Sequence, residues 1–281
     1  MCLPSTNAAS TSADASGDAR YELTESEREA VIALKAACDQ AGIAYNNLFE
    51  LAKYVLVVHS SFLDSDEKAP QKRLEKAVSL MKKRNAWAKK HQLEHIDPME
   101  ALEELYQLHP DFFVTNFSHD HEGRVVVAHH HAHAPSDFVY QSKKNGAKYL
   151  AAEQFRMNLG AVDMEEARRG MCMVSITDNQ LTTKRSFRYL RLVTHAQENL
   201  KSMHPNRVRS IYSQVPAFVM YLVPTVKLLL PKKIASRVNI VGNMEELGEL
   251  LHSAKNPDTT VLEWAEERHA KYLETVKKLI V

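Results

Sequence analysis

MHPNRVRSIYSQVPAFVMYLVPTVKLLLPKKIASRVNIVG, residues 203–242, decides how the chain is read. VRSIYS, Val208 to Ser213, carries β-branched and aromatic residues at the density of a strand. Pro216 follows, and an apolar segment runs on to about Leu230. VNIV, Val238 to Val241, is β-branched again. A strand, a helix and a strand in this order predict a crossover unit, and so parallel strands. The stretch Ile211 to Leu230 is also about as long as a membrane span. It holds Gln214, Lys227, Pro216 and Pro224, and its β-branched start runs into a proline. That pattern reads as strand then helix, so a membrane span is not expected.

The same alternation extends upstream. RVVVA, Arg124 to Ala128, and MCMVSIT, Met171 to Thr177, read as strands. Residues 136–168 read as helix broken near Gly146 and Gly160, and residues 182–202 as a further helix. The first third is helical throughout. Thr24 and Glu27 form a T-x-x-E capping box ahead of Val31, Leu34 and Cys38, with Gly42 as the stop. Leu48, Leu51, Ala52, Val55 and Leu56 make a second face. Pro70 precedes a third helix with Leu74, Ala77, Val78, Met81 and Ala88, and Asp97-Pro98 opens a fourth. Thr260 to Ile280 begins with another T-x-x-E and predicts a docked C-terminal helix. The expected class is α/β, a mostly parallel sheet flanked by helices, with an N-terminal helical module.

Composition narrows the function. With 281 residues, 44% hydrophobic and 25% charged, this is ordinary globular material. Net charge is +1, so attraction to anions must come from local patches. Cys2, Cys38 and Cys172 are sparse and form no CxxC, which suggests a reduced compartment. Residues 1–19 are small and polar, without a basic start or apolar run; they read as a disordered tail rather than a targeting peptide.

No phosphate loop, dinucleotide fingerprint, HExxH or GxSxG occurs. Only eight glycines are present, few for the tight backbone nests such sites use. The chemical candidate is the run His129, His130, His131 and His133. On extended backbone His129, His131 and His133 would share one face and could ligate a metal or haem iron. The HxHxDH pattern of metallohydrolases fails, because Pro135 stands where its aspartate belongs. A polar strand end is the plainer reading, and His119 and His121 read as loop residues. Asp178 ends an apolar strand and reads as an N-cap or Asx turn, since no partner base or nucleophile accompanies it.

The basic residues say more. From Lys184 to Arg237 there are eleven lysines and arginines, and Glu198 is the one acid. Lys184, Arg188 and Arg191 share a helical face; Arg207 and Arg209 share a strand face; Lys233 and Arg237 lie one turn apart. No aromatic platform or recognition motif accompanies this charge, so nucleic acid is not the expected partner. A basic patch beside an amphipathic apolar segment suits an anionic membrane surface.

From about Leu48 to Leu251 the chain resembles the CRAL-TRIO lipid-binding proteins, most closely their tocopherol-transfer and retinaldehyde-binding branch. LAKYVLVV and KAVSLMKKRNAWAKK, with Trp87, resemble the family's N-terminal helices. DHEGRVVVAHHHAHAP resembles its D-x-x-G-R-P-V strand, and GMCMVSITDNQ its G-x-x-x-I-x-D-x-x-G strand. The 203–242 block resembles YP-x-R…NAP-x-x-F…KPFL…K-x-x-x-RI-x-x-HG, with Gln214 in place of the asparagine and Leu228 in place of the second proline. The ending LP-x-E-Y-G-G is replaced by SAKNPDTTVLEW.

The resemblance implies a helical module over residues 20–110, a lipid-binding domain over 111–255, and a C-terminal helix over 256–281. It implies a deep apolar pocket under a mobile gate, with Phe218, Val219, Leu222, Val223, Val226 and Leu229 as pocket and gate residues. It places phosphoinositide-binding cations at Arg207, Arg209, Lys233 and Arg237. The function expected is a non-enzymatic carrier that encloses one hydrophobic ligand, needs no cofactor, and exchanges its cargo at anionic, phosphoinositide-containing membranes. Such a protein is cytoplasmic and reversibly membrane-associated. The alternatives are a haem or metal protein using His129, His131 and His133, and a lipid-sensing regulator that presents ligand to a partner protein.

Overall fold

The computed structural model describes residues 18–59, 69–115, 117–177, 205–215, 235–251 and 259–279. Helix α1, Glu25–Ala41, starts where its capping box puts it: the Glu27 N–H donates to Thr24 Oγ1 and the Thr24 N–H to Glu27 Oε2. It stops at Gly42, whose φ of 61° is the left-handed conformation glycine tolerates best. Helices α2, Leu48–His59, and α3, Ala69–Lys90, pack on it. Val31, Leu34, Phe49, Leu51 and Met81 bury completely between the three. Helix α4, Pro98–Leu108, has proline in its first turn and Asp97 accepting from the N–H groups of Met99 and Glu100.

The sheet has five strands in the order β1-β2-β3-β4-β5: Phe113–Val114, Val126–His130, Met171–Ile176, Val208–Gln214 and Val238–Val241. Strands β2 to β5 are parallel and β1 is an antiparallel edge. Between β2 and β3 run α5, Ser136–Gln141, α6, Lys143–Asn158, and α7, Met164–Arg169. Helices α8, Met244–Leu251, and α9, Val261–Lys278, complete the chain's described elements. This is the expected α/β class. The break expected near Gly146 falls at Ser142 instead, whose side chain accepts from the Asn145 N–H and starts α6. Gly146 lies inside that helix, where one glycine costs only about 1 kcal/mol against alanine.

Two cores hold the layers together. Val126, Ala128, Cys172, Val174, Tyr212 and Leu247 bury around the sheet. Leu102, Leu105, Phe112, Ala152, Leu159 and Ala265 join α4, α6 and α9. Ion pairs tie α7 to α1 on one side and to α9 on the other. Arg168 on α7 donates to both Glu27 oxygens, at 3.0 and 2.7 Å, and Arg268 on α9 reaches Glu166 at 2.5 Å. No helix among the described residues is long and apolar enough to cross a membrane.

Candidate functional site

The basic residues converge on one edge of the sheet, where β2 to β5 begin. Register defines that edge: Val126 pairs Cys172, Cys172 pairs Ser210, and Ile211 pairs Val238. Arg124, Gly170, Arg207 and Arg237 therefore stand just ahead of four neighbouring strands. Between Met171 and Cys172 the pairing jumps from Val208 to Ser210, leaving Arg209 as the extra residue of a bulge. A bulge twists its strand and re-aims the side chain it carries. Arg207 and Arg209, expected on a common strand face by alternation, lie near enough for the Arg209 charge to act on Arg207.

Gly170 makes room for them. Its φ is 81°, and a Cβ there would meet the Arg207 carbonyl oxygen at 2.5 Å and Arg209 Cγ at 2.8 Å. Arg237 closes the group from β5: its Nη1 donates to the Val208 carbonyl at 3.0 Å, and its own carbonyl accepts from the Ile211 N–H. Burial lowers the Arg207 guanidinium to about 10, and repulsion from Arg209 and Arg237 adds to it. Arg209 is lowered too, by burial first and then by Arg237 and Arg124. Among the described residues no carboxylate pairs with Arg207 or Arg209. Three partly buried like charges held together in this way repel one another. Lys233, the fourth expected cation, lies outside the described residues. So do the pocket and gate residues Phe218 to Leu229, the rival group Lys184, Arg188 and Arg191, and Asp178.

At the opposite edge Gln214 ends β4. The Thr177 N–H donates to its Oε1 at 3.1 Å, and its Nε2 reaches the carbonyls of Val215 and Gly242, each at 3.4 Å. The glutamine thus joins the exits of β3, β4 and β5, just before residue 216.

The histidines do not line up as extended backbone requires. Strand β2 ends at His130, and His131–His133 form a 3₁₀ turn. Three residues per turn bring i and i+3 together, so His133 meets His130, with ring centroids 4.6 Å apart, and His131 stacks on His129 at 6.0 Å. His129 Nε2 lies 2.5 Å from Glu153 Oε2, and Arg156 donates to Glu153 Oε1 and the Ala128 carbonyl, each at 3.0 Å. Burial raises the Glu153 carboxyl, but His129 and Arg156 outweigh it and hold it at about 2. Burial lowers His131 to about 3, with repulsion from His129 added. No group of three or more potential metal ligands occurs among the described residues. His130 and His133 instead face a polar cleft of about 460 Å³ between the Pro110–Val114 segment and the start of α9.

The mostly parallel sheet with helices on its faces, preceded by a helical N-terminal module, is an α/β fold found also in a solved structure. Sfh5, a Sec14-family CRAL-TRIO protein, superposes with a TM-score of 0.51 over 89% of this chain and 98% of its own. Identity is 11%, so the likeness is one of fold. No protein-family model and no curated protein sequence matches the chain.

Proposed function

We propose that this protein binds one hydrophobic lipid-like ligand and exchanges it at anionic membranes without chemistry of its own and without a resident metal or haem. The observation that carries the reading is the convergence of Arg207, Arg209 and Arg237, with no carboxylate paired to the first two among the described residues. Guanidinium forks suit bidentate phosphate contact, so phosphoinositide headgroups are the membrane component such a site takes. This is also the feature that favours the tocopherol-transfer-like pattern, with Lys233 as the fourth cation.

The reading keeps the ligand pocket at residues 218–229, between β4 and β5, on the resemblance of the sequence there. Burying a lipid-sized apolar molecule at roughly 25 cal/mol per Å² gives useful affinity from enclosure alone. Release then needs the gate to open, which an anionic surface can bias. Each cation near such a surface is worth on the order of 1 kcal/mol, so replacing all four by glutamine should weaken binding to phosphoinositide vesicles about a thousandfold. Ligand uptake from detergent should survive, read by native mass spectrometry. Replacing Lys184, Arg188 and Arg191 is the control. If the control loses more vesicle binding than the quadruple variant, the headgroup site is misplaced.

A further inference from the structure

The edge carries a cation that sequence spacing does not group with the others. Arg124 lies two residues ahead of β2 and Arg209 is the unpaired bulge residue near the start of β4, with β3 between them. Adjacent strands are about 4.8 Å apart, so roughly 10 Å separates the two backbones. Gly170 is the β3-side residue in that gap. Arg209 Cγ would be 2.8 Å from a Cβ at 170, so the arginine stem lies over the glycine, and the Arg124 charge acts on its guanidinium. On the far side Arg124 is held in place. Asp120 Oδ2 accepts from its Nε at 2.7 Å, while Asp120 Oδ1 accepts from the N–H groups of Glu122 and Arg124, each at 3.0 Å. The Asp120 side chain is fully buried and Arg124's is 8% exposed, so this pair is fixed. Glu122 differs: its Oε2 lies 3.1 Å from Arg124 Nη1, yet its side chain is 59% exposed. Its charge also acts on the Arg209 guanidinium.

The geometry points to a second phosphate subsite, formed by Arg209 and Arg124 across Gly170, with Glu122 as an internal counter-ion that an incoming phosphate displaces. The inference rests on the headgroup reading above and deepens it. Arg207 and Arg237 serve one phosphate between β4 and β5, and Arg209 and Arg124 serve another over β3. The ligand class is a headgroup bearing two or more phosphates. A single phosphate cannot engage both subsites.

The test uses Glu122→Gln in the full chain, an exposed change that leaves the Asp120 turn intact. Glu103→Gln, on the exposed face of α4, gives the same change of net charge away from the edge. Sedimentation with vesicles containing a bisphosphorylated phosphoinositide should show Glu122→Gln binding about fivefold tighter than wild type, the scale of one removed like charge at an exposed phosphate. Vesicles with a monophosphorylated phosphoinositide should show little gain. Soluble inositol polyphosphate, titrated without vesicles, separates a free polyphosphate from a lipid headgroup as the source of the same chemistry. Equal affinities for Glu122→Gln and Glu103→Gln, or an equal gain on both vesicle types, would overturn the second subsite. A variant with Arg207, Arg209 and Arg237 all changed to glutamine keeps the two readings apart. If that variant still binds, the headgroup reading itself fails; if it loses binding while Glu122→Gln changes nothing, only the second subsite fails.

Discussion

Lys53 is 2% exposed, at the meeting of α2, α9 and the α6–α7 turn. Its Nζ donates to the Asn158 carbonyl at 2.9 Å and lies 4.7 Å from the centre of the Phe49 ring and 5.4 Å from that of Tyr272. Burial lowers the ammonium from 10.5 to about 7, against the pull of Glu50 and Glu166. A drop of that size makes the charged form about 5 kcal/mol dearer in the fold than in the unfolded chain. Lys53→Met removes the charge and keeps the length. The Asn158 carbonyl still accepts from Asn206 Nδ2 at 3.2 Å, so no acceptor is orphaned. Against the gain stand the lost hydrogen bond and the ring contacts, about 1 kcal/mol each. A net stabilisation of about 2 kcal/mol is expected at pH 7, in the range found when buried charges give way to apolar residues. The sign with pH follows from linkage. Between about 7 and 10.5 the unfolded lysine holds a proton that the folded one lacks, so wild-type stability rises with pH across that window. By pH 9.5 that gain is about 3 kcal/mol, and the advantage of Lys53→Met should vanish or reverse. Cys172 and Tyr54, both pushed up by burial, are common to the two proteins and cancel in the difference. Urea unfolding at pH 7 and 9.5 reads this directly. A variant less stable than wild type at pH 7, or a difference that does not change with pH, refutes the argument.

Two further outcomes are expected. Gly170→Ala should destabilise by about 3 kcal/mol, because it strains a positive φ and drives a Cβ onto the Arg207 carbonyl; thermal denaturation checks it, and a change under 0.5 kcal/mol would mean that the glycine is not a constraint. Stability should fall as pH drops below 6.5, where unfolded His131, His109 and His119 take up protons that the folded rings resist, and again below about 4.5, where unfolded Glu153 is protonated while the folded carboxylate is not; His131→Gln should shrink the first limb and leave the second, as read in urea midpoints at pH 7, 5.5, 4.5 and 3.5.

What the sequence made legible was local chemistry. Capping boxes at Thr24 and Thr260, the Asp97-Pro98 start and the Gly42 stop each act within one turn, and each marks a real helix end. The strand Val238–Val241 was legible for the same reason. Strand β2 was read two residues early, because Arg124 has a strand-like neighbourhood but is held in the Asp120 turn, where Gly123 has a φ of 70°. Strand β1 carries no signal of its own: two residues become a strand only by pairing with β2. Helix α8 passed unread, although Asn243 accepts from the Glu246 N–H at its start. The histidine face failed because periodicity assumes that the strand continues, and it ends at His130. Of the candidate site, the arginines were legible as a cluster of charge. The bulge at Arg209, the window at Gly170 and the arrival of Arg124 follow from register across four strands, which no local pattern encodes.

The parallel pairing of β4 with β5 constrains how headgroup and ligand can communicate. Strand β4 enters beside Arg207 and Arg209 and leaves at Gln214; β5 enters beside Arg237. The intervening chain must therefore travel from the exit edge of the sheet back to the arginine edge, because parallel strands leave it no shorter route. At its departure it is anchored by the Gln214 bonds to Thr177 and Gly242, and at its return by Arg237 bonded to Val208. Under the function proposed above, the chain therefore re-enters the sheet at Arg237, one of the headgroup arginines.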